Sequence, residues 1–228
     1  MTGRPAGGRP AGGLPAWLQP LADAVSAVRP EQLSSFLPPE NGGRESAVLV
    51  LVGEDVHGPD VLLIERSHTM RSHAGQPAFP GGALDPVDDG PVAAALREAQ
   101  EETGLRPEGV EVFATLPQLW LPPSGFVVTP VLGWWRQPSP VHAAVADEVA
   151  AVHRVPVDEL TDPDNRLRVR HPSGFVGPAF DVRGLLVWGF TAGLLDRLLD
   201  LAGWARPWDT SRVEDLPASA RPRSAGAR

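Results

Sequence analysis

Two apolar runs, AVLVLV (47–52) and VLLIER (61–66), flank the turn-rich segment GEDVHGPD and predict a pair of strands. Strand patterns recur in VEVFATL (110–116), GFVVTPVLGWW (125–135), the neighbourhood of DEVAAVHRV, RLRVR and FVGPAFDV. Helical periodicity marks PAWLQPLADAVSAV near the start, a central segment at about 91–103 and LLVWGFTAGLLDRLLDLAGW (185–204), with a helical turn at PVDEL. LPPENGG reads as a linker. Strands before and after a central helix, with a second helix near the end, predict an α/β or α+β sandwich without internal repeats. Residues 1–20 read as a flexible Gly/Pro-rich tail, 21–206 as one domain and the Pro/Ser/Arg/Ala-rich stretch 207–228 as a disordered tail. The longest uncharged run, Val112 through Trp135, contains Pro117, Pro122, Pro123 and Pro130, which favours strands and turns over a membrane span.

The central helix is firmly bounded. Gly90 or Asp89 can cap its start, Pro91 suits the first helical position, and Gly104 suits the left-handed residue that ends it. At roughly 100° per residue, Val92, Ala95, Leu96 and Ala99 form a buried stripe, and Glu98, Glu101 and Glu102 fall on the far side. Spacings of three and four bring those carboxylates within roughly 5–6 Å of one another, and acids in a last turn oppose the helix dipole. A divalent cation removes that conflict; all-oxygen donors suit Mg²⁺ or Mn²⁺. Arg97 can hold one of the carboxylates in place. Just upstream, FPGGALDPVDDG adds a two-glycine turn and the acids Asp85, Asp88 and Asp89.

Composition narrows the chemistry. The absence of cysteine excludes disulfides, thiolate metal sites and a cysteine nucleophile, and fits an intracellular, cytoplasmic location. A formal net charge of -8 argues against general nucleic-acid or membrane-surface binding, and means that an anionic substrate needs metal ions or a local arginine cluster. All 20 basic residues are arginine, a bias to which no function is attached. Most of the seven tryptophans suit core or interface positions, Trp120 suits a pocket wall, and the Trp-rich segments leave a homodimer open.

The stretch GGALDPVDDGPVAAALREAQEETGL resembles the signature box of the Nudix hydrolases. Arg97, Glu98, Ala99, Glu101, Glu102, Gly104 and Leu105 match its second half position by position; the box spans 82–105. The first half departs: the acid after Gly82 is Asp88 where most members carry Glu, and the gap to Arg97 is one residue longer. Upstream, LLIERSHTMRSHAGQPAFPGG (62–82) resembles the motif of the coenzyme A pyrophosphatase branch through Arg66, Ser67, Arg71, Gly75, Phe79, Pro80, Gly81 and Gly82. The longer box spacing, LPPSGFVVTPVLG and VWGFTA are similar to that branch as well.

The resemblance implies an α/β/α sandwich with a mixed sheet and hydrolysis of a nucleoside diphosphate derivative. It implies Glu98 and Glu102 as principal ligands of Mg²⁺ or Mn²⁺, with Glu101 joining them. The catalytic set is Glu98, Glu101, Arg97 and Glu148; the base is open among Glu98, Glu101 and the loop acid Glu148. Arg66 and Arg71 are the candidates for phosphate contacts, with Gly81 and Gly82 shaping the loop or touching phosphate. The implied substrate is a small molecule, coenzyme A or acyl-coenzyme A; ADP-ribose, a dinucleotide, or a binding role without catalysis are the alternatives.

Overall fold

The computed structural model describes residues 13–70, 73–122, 124–217 and 220. The expected strand pair is a long antiparallel hairpin, β1 (Arg44–Asp55) and β2 (Gly58–Arg66), closed by a tight turn at Val56 and His57. Short helices α1 (Gln19–Val25) and α2 (Pro30–Leu33) precede it. The segment after β2 forms β3 (Pro77–Ala78) and β4 (Gly81–Ala83), then the central helix α3 (Gly90–Thr103). β5 (Val110–Thr115), β6 (Leu119–Leu121), β7 (Phe126–Trp135) and β8 (Val149–Pro156) complete the larger sheet. The chain continues through α4 (Val157–Thr161), β9 (Arg166–Arg170), β10 (Val176–Val182), β11 (Leu185–Val187), α5 (Gly189–Leu201) and β12 (Val213–Asp215).

The larger sheet runs β3-β2-β1-β7-β5, with β4 also on β1, β6 on β7 and β8 on β2. Only β1 and β7 pair in parallel, so the sheet is mixed. A second sheet, β11-β10-β9-β12, is antiparallel except for β12 on β9. Alternation along β1 buries both faces. Ala47, Leu49 and Leu51 meet Ala94, Ala95 and Ala99 of α3, while Val50 and Val52 join a larger core with α1 and α5. The small alanines let α3 lie close to the strand, and each buried Leu or Val contributes roughly 1.5–3 kcal/mol. β3 and β4 fill the gap where β1 and β2 splay apart: Ile64 pairs with Ala78, and Ala47 with Gly82.

Three expectations are corrected. The segment 185–204 is not one helix: its first three residues pair with β10, because Trp188 is extended and Gly189, at φ 66, separates strand from helix. The first tail ends earlier than residue 20, since Leu18 is buried and Trp17 meets Trp134 edge-on at 5.4 Å. Residues 207–217 are not disordered. Trp208 lies over the Arg166 guanidinium at 4.5 Å, β12 pairs with β9, and Leu216 is buried. The rest of both tails, 1–12, 218–219 and 221–228, lies outside the described residues. Among the described residues no helix is long and apolar enough to cross a membrane.

Candidate active site

α3 carries the site, and its own sequence explains its form. The alanine-rich start favours helix, and Gly104 ends it in the left-handed region at φ 68, its N–H bonding the Gln100 carbonyl at 2.8 Å. Gly90 opens the helix after the cap residue Asp89, which places Pro91 one position inside. The buried face is broader than the predicted stripe. Ala94, Ala95, Ala99, Thr103 and also Glu102 are buried, whereas Val92 and Leu96 are half-buried.

The position of Glu102 is the main correction to the helical reading. It follows Ala95 by seven residues, close to two full turns, so it lies at the edge of the buried stripe and not opposite it. Only 3% of the residue is exposed, and one carboxylate oxygen accepts the Gly81 N–H at 2.9 Å. Burial pushes its pKa up to about 7; the Gly81 N–H and the nearby Arg66 charge oppose that rise, and Glu98 and Glu148 reinforce it. Glu98 is half-buried and also raised, first by burial, with Glu101 and Glu148 adding to the effect against the pull of Arg97. A Cβ on Gly82 would collide with the Glu98 carboxylate, and one on Gly81 with the Ala47 carbonyl. Glycine is therefore required at 81, where the neighbour is backbone, and at 82 a larger residue would displace the Glu98 carboxylate.

Arg97 gathers the remaining acids. Its Nε and Nη2 donate to the two Asp88 oxygens at 2.9 and 3.0 Å, and its Nη1 to Glu98 and Glu101, each at 3.1 Å. Nη2 also donates to the Ala83 carbonyl at 3.3 Å, and Asp85 stands 3.7 Å away. The hydrogen bonds from Arg97 hold the Asp88 carboxyl below its usual range. Asp88 also accepts the Asp85 N–H at 2.8 Å, so the acid that departs from the box pattern clamps the loop before α3 onto the helix.

The fold brings distant residues to these glutamates. Arg66, at the end of β2, lies close enough to Glu102 to lower its pKa, and its buried Nε has no hydrogen-bond partner among the described residues. Its backbone is held by Gln76 and Gly75. Glu148 is exposed just before β8; its carbonyl accepts the Ser67 N–H at 2.8 Å, and its charge acts on both Glu98 and Glu102. Arg71 lies outside the described residues. His68 pairs with Glu65 at 3.1 Å and His73 with Gln76 at 2.8 Å, while Phe79 is buried in the core.

Among the described residues no three acidic or histidine side chains already converge as a cation cage. The donor set nevertheless fits a hard divalent cation: Glu98, Glu101 and Glu102 offer only oxygen, and Glu102 is a buried carboxylate whose side chain accepts one hydrogen bond among the described residues. Sequence reasoning missed the Gly81 N–H and the Ala83 carbonyl, backbone groups with no side-chain signal. The glycine pair was their one trace in the chain.

A family model described as NUDIX domain matches residues 43–173. A protein from Cronobacter sakazakii named Uncharacterized Nudix hydrolase NudL is 42% identical over 178 residues, 75% of this chain and 87% of its own. Its namesake from Klebsiella pneumoniae subsp. pneumoniae is 44% identical over 171 residues, covering 72% and 85%. The crystal structure of a Nudix hydrolase from M. smegmatis, RenU, shares the fold at a TM-score of 0.50 and 22% identity, over 77% of this chain and 99% of that one. The domain match spans more than half of the chain and contains the whole helix of arginine-clamped glutamates, and so the chain belongs to the Nudix hydrolases.

Proposed function

We propose that this Nudix hydrolase cleaves the pyrophosphate of coenzyme A or acyl-coenzyme A to 3′,5′-ADP and (acyl-)4′-phosphopantetheine, with Mg²⁺ or Mn²⁺ as cofactor. The observation that carries the reading is the contiguity of two motifs. The segment 62–82, which resembles the coenzyme A branch, sets Arg66 near Glu102, the Gly81 N–H on Glu102 and Gly82 under Glu98.

Hydrolysis adds a water oxygen to one phosphorus and breaks that phosphorus's bond to the bridging oxygen, which leaves with the other phosphate. The water gives up a proton. A divalent cation, when bound, neutralises phosphate charge and acidifies water. Glu98 and Glu102 would hold it, with Glu101 in support. Arg66 offers to a phosphate oxygen a guanidinium whose Nε is uncommitted among the described residues. The proton goes to Glu98, Glu101 or Glu148, three carboxylates in one electrostatic neighbourhood.

Purified protein incubated with coenzyme A and Mg²⁺ or Mn²⁺, with products separated by chromatography and Glu102→Gln run in parallel, tests this. Release of 3′,5′-ADP that collapses in the variant supports the reading. Intact coenzyme A beside cleaved ADP-ribose or dinucleotide overturns the substrate and keeps the box; no turnover of any of them overturns the catalytic reading.

A further inference from the structure

Trp120 differs from every other tryptophan of the chain. Among the described residues, the other six each meet an aromatic ring or a guanidinium, whereas the Trp120 ring meets neither. It is half-buried on β6, and the backbone around it makes room: a Cβ on Gly43 would fall 2.6 Å from its ring, and Gly125 lies alongside. A large flat side chain with no ring or guanidinium against it among the described residues keeps its stacking capacity uncommitted to another ring or cation.

Strand register places that ring relative to the glutamates. Ala47, Leu49 and Val131 face α3, so Glu45, two positions from Ala47 along β1, and Val127, four positions from Val131 along β7, face the same way. Trp120 pairs directly with Val127 and shares its side, while its neighbour Leu119 enters the core on the opposite face. Gly82, under Glu98, pairs with Ala47. From β4 across β1 and β7 to β6 is three strand spacings, about 14 Å, with an offset of about 7 Å along the strands. The pyrophosphate site and Trp120 thus occupy one sheet face, separated by a span that an extended nucleotide bridges.

We propose that Trp120 is the stacking surface for the nucleobase of the substrate. The inference rests on the box being the pyrophosphate site. An aromatic ring recognises a base by its flat face, which an aliphatic side chain of similar apolarity does not offer. Trp120 is thereby a determinant of substrate affinity and stands away from the bond that breaks.

The test compares Trp120→Leu, which keeps apolar packing, with Trp120→Phe, which keeps a π-face. With coenzyme A as substrate, the leucine variant raises KM about tenfold, the phenylalanine variant stays within about twofold of the parent, and kcat changes by less than about twofold in both. A leucine variant with the parent's KM overturns the proposal while leaving the hydrolase reading intact. Calorimetric binding of 3′,5′-ADP gives the same comparison without turnover. Should coenzyme A resist cleavage, an affinity loss of about tenfold in the leucine variant alone still supports stacking, and equal affinities overturn it. Trp120→Met serves in the same comparison if the leucine variant does not fold.

Discussion

Arg97 and Arg166 put the same side chain to opposite uses. Arg166 is 1% exposed, pairs with one carboxylate, Asp196, and lies between the rings of Phe180 and Trp208, each 4.5 Å from its guanidinium carbon. Charge is matched one to one there, and aromatic faces cover the rest of the cation. Arg97 is more open and is shared among Asp88, Glu98 and Glu101, with Asp85 nearby, beside two further acids, Glu102 and Glu148. One positive charge cannot neutralise that many carboxylates. The surplus is destabilising in a protein built only to fold, and a divalent cation bound among the carboxylates would offset it.

The contrast predicts that substitutions at the two places fail in different currencies. Glu102→Gln gives the largest effect, a fall in kcat on the order of 10³, several kcal/mol of lost charge stabilisation, measured by product chromatography. Its metal-free stability in urea does not fall, because a neutral amide replaces a buried carboxylate; a variant that unfolds yet stays active when folded would dissolve the distinction. Arg166→Met lowers unfolding free energy by about 3–4 kcal/mol, since Asp196 is left without its cation, while kcat per folded molecule is unchanged. Arg97→Gln comes next. It frees the loop before α3 and leaves the acids uncompensated, reducing activity by about 10- to 100-fold through misplacement of Glu98 and Glu101. Asp88→Asn, which weakens only the loop clamp, should reproduce a smaller part of that loss.

Trp208→Ala sharpens the Arg166 side of the comparison by removing one ring from the sandwich and costs about 1–2 kcal/mol in urea denaturation. The smallest effect belongs to the exposed pair Glu159 and Arg183, whose hydrogen bonds depress the Glu159 pKa. A depressed carboxyl contributes stability above its unfolded value near 4.5 and loses it as pH falls through the lower folded value. Solvent screening keeps that contribution below about 1 kcal/mol, so Glu159→Gln should flatten the acid limb of the stability profile only slightly.

Residues that act through near neighbours were legible in the chain. The bounds of α3, the left-handed Gly104, the paired strands around Val56 and the grouping of Arg97 with Glu98 and Glu101 all follow from spacings of a few residues, where helical and strand geometry leave little freedom. Periodicity also outlined the longer strands, β1, β2, β5, β7, β8, β9 and β10, and not the short ones. It failed where a distant partner decided the state. Leu185–Val187 has helical spacing but pairs with β10, and the stretch around Trp208 has a tail's composition but is held by Arg166.

The sequence by itself therefore determined the helix, its acids and the family they belong to, because those features depend on local periodicity and on residue types at fixed offsets. Only the tertiary structure decided that Glu102 is buried against Gly81, that Arg66 and Glu148 come to the same carboxylates, and that Asp88 clamps a loop onto Arg97. It also set Trp120 on the face of the sheet that carries the glutamates. Burial and charge depend on which surfaces meet, and strand pairing across tens of residues settles that.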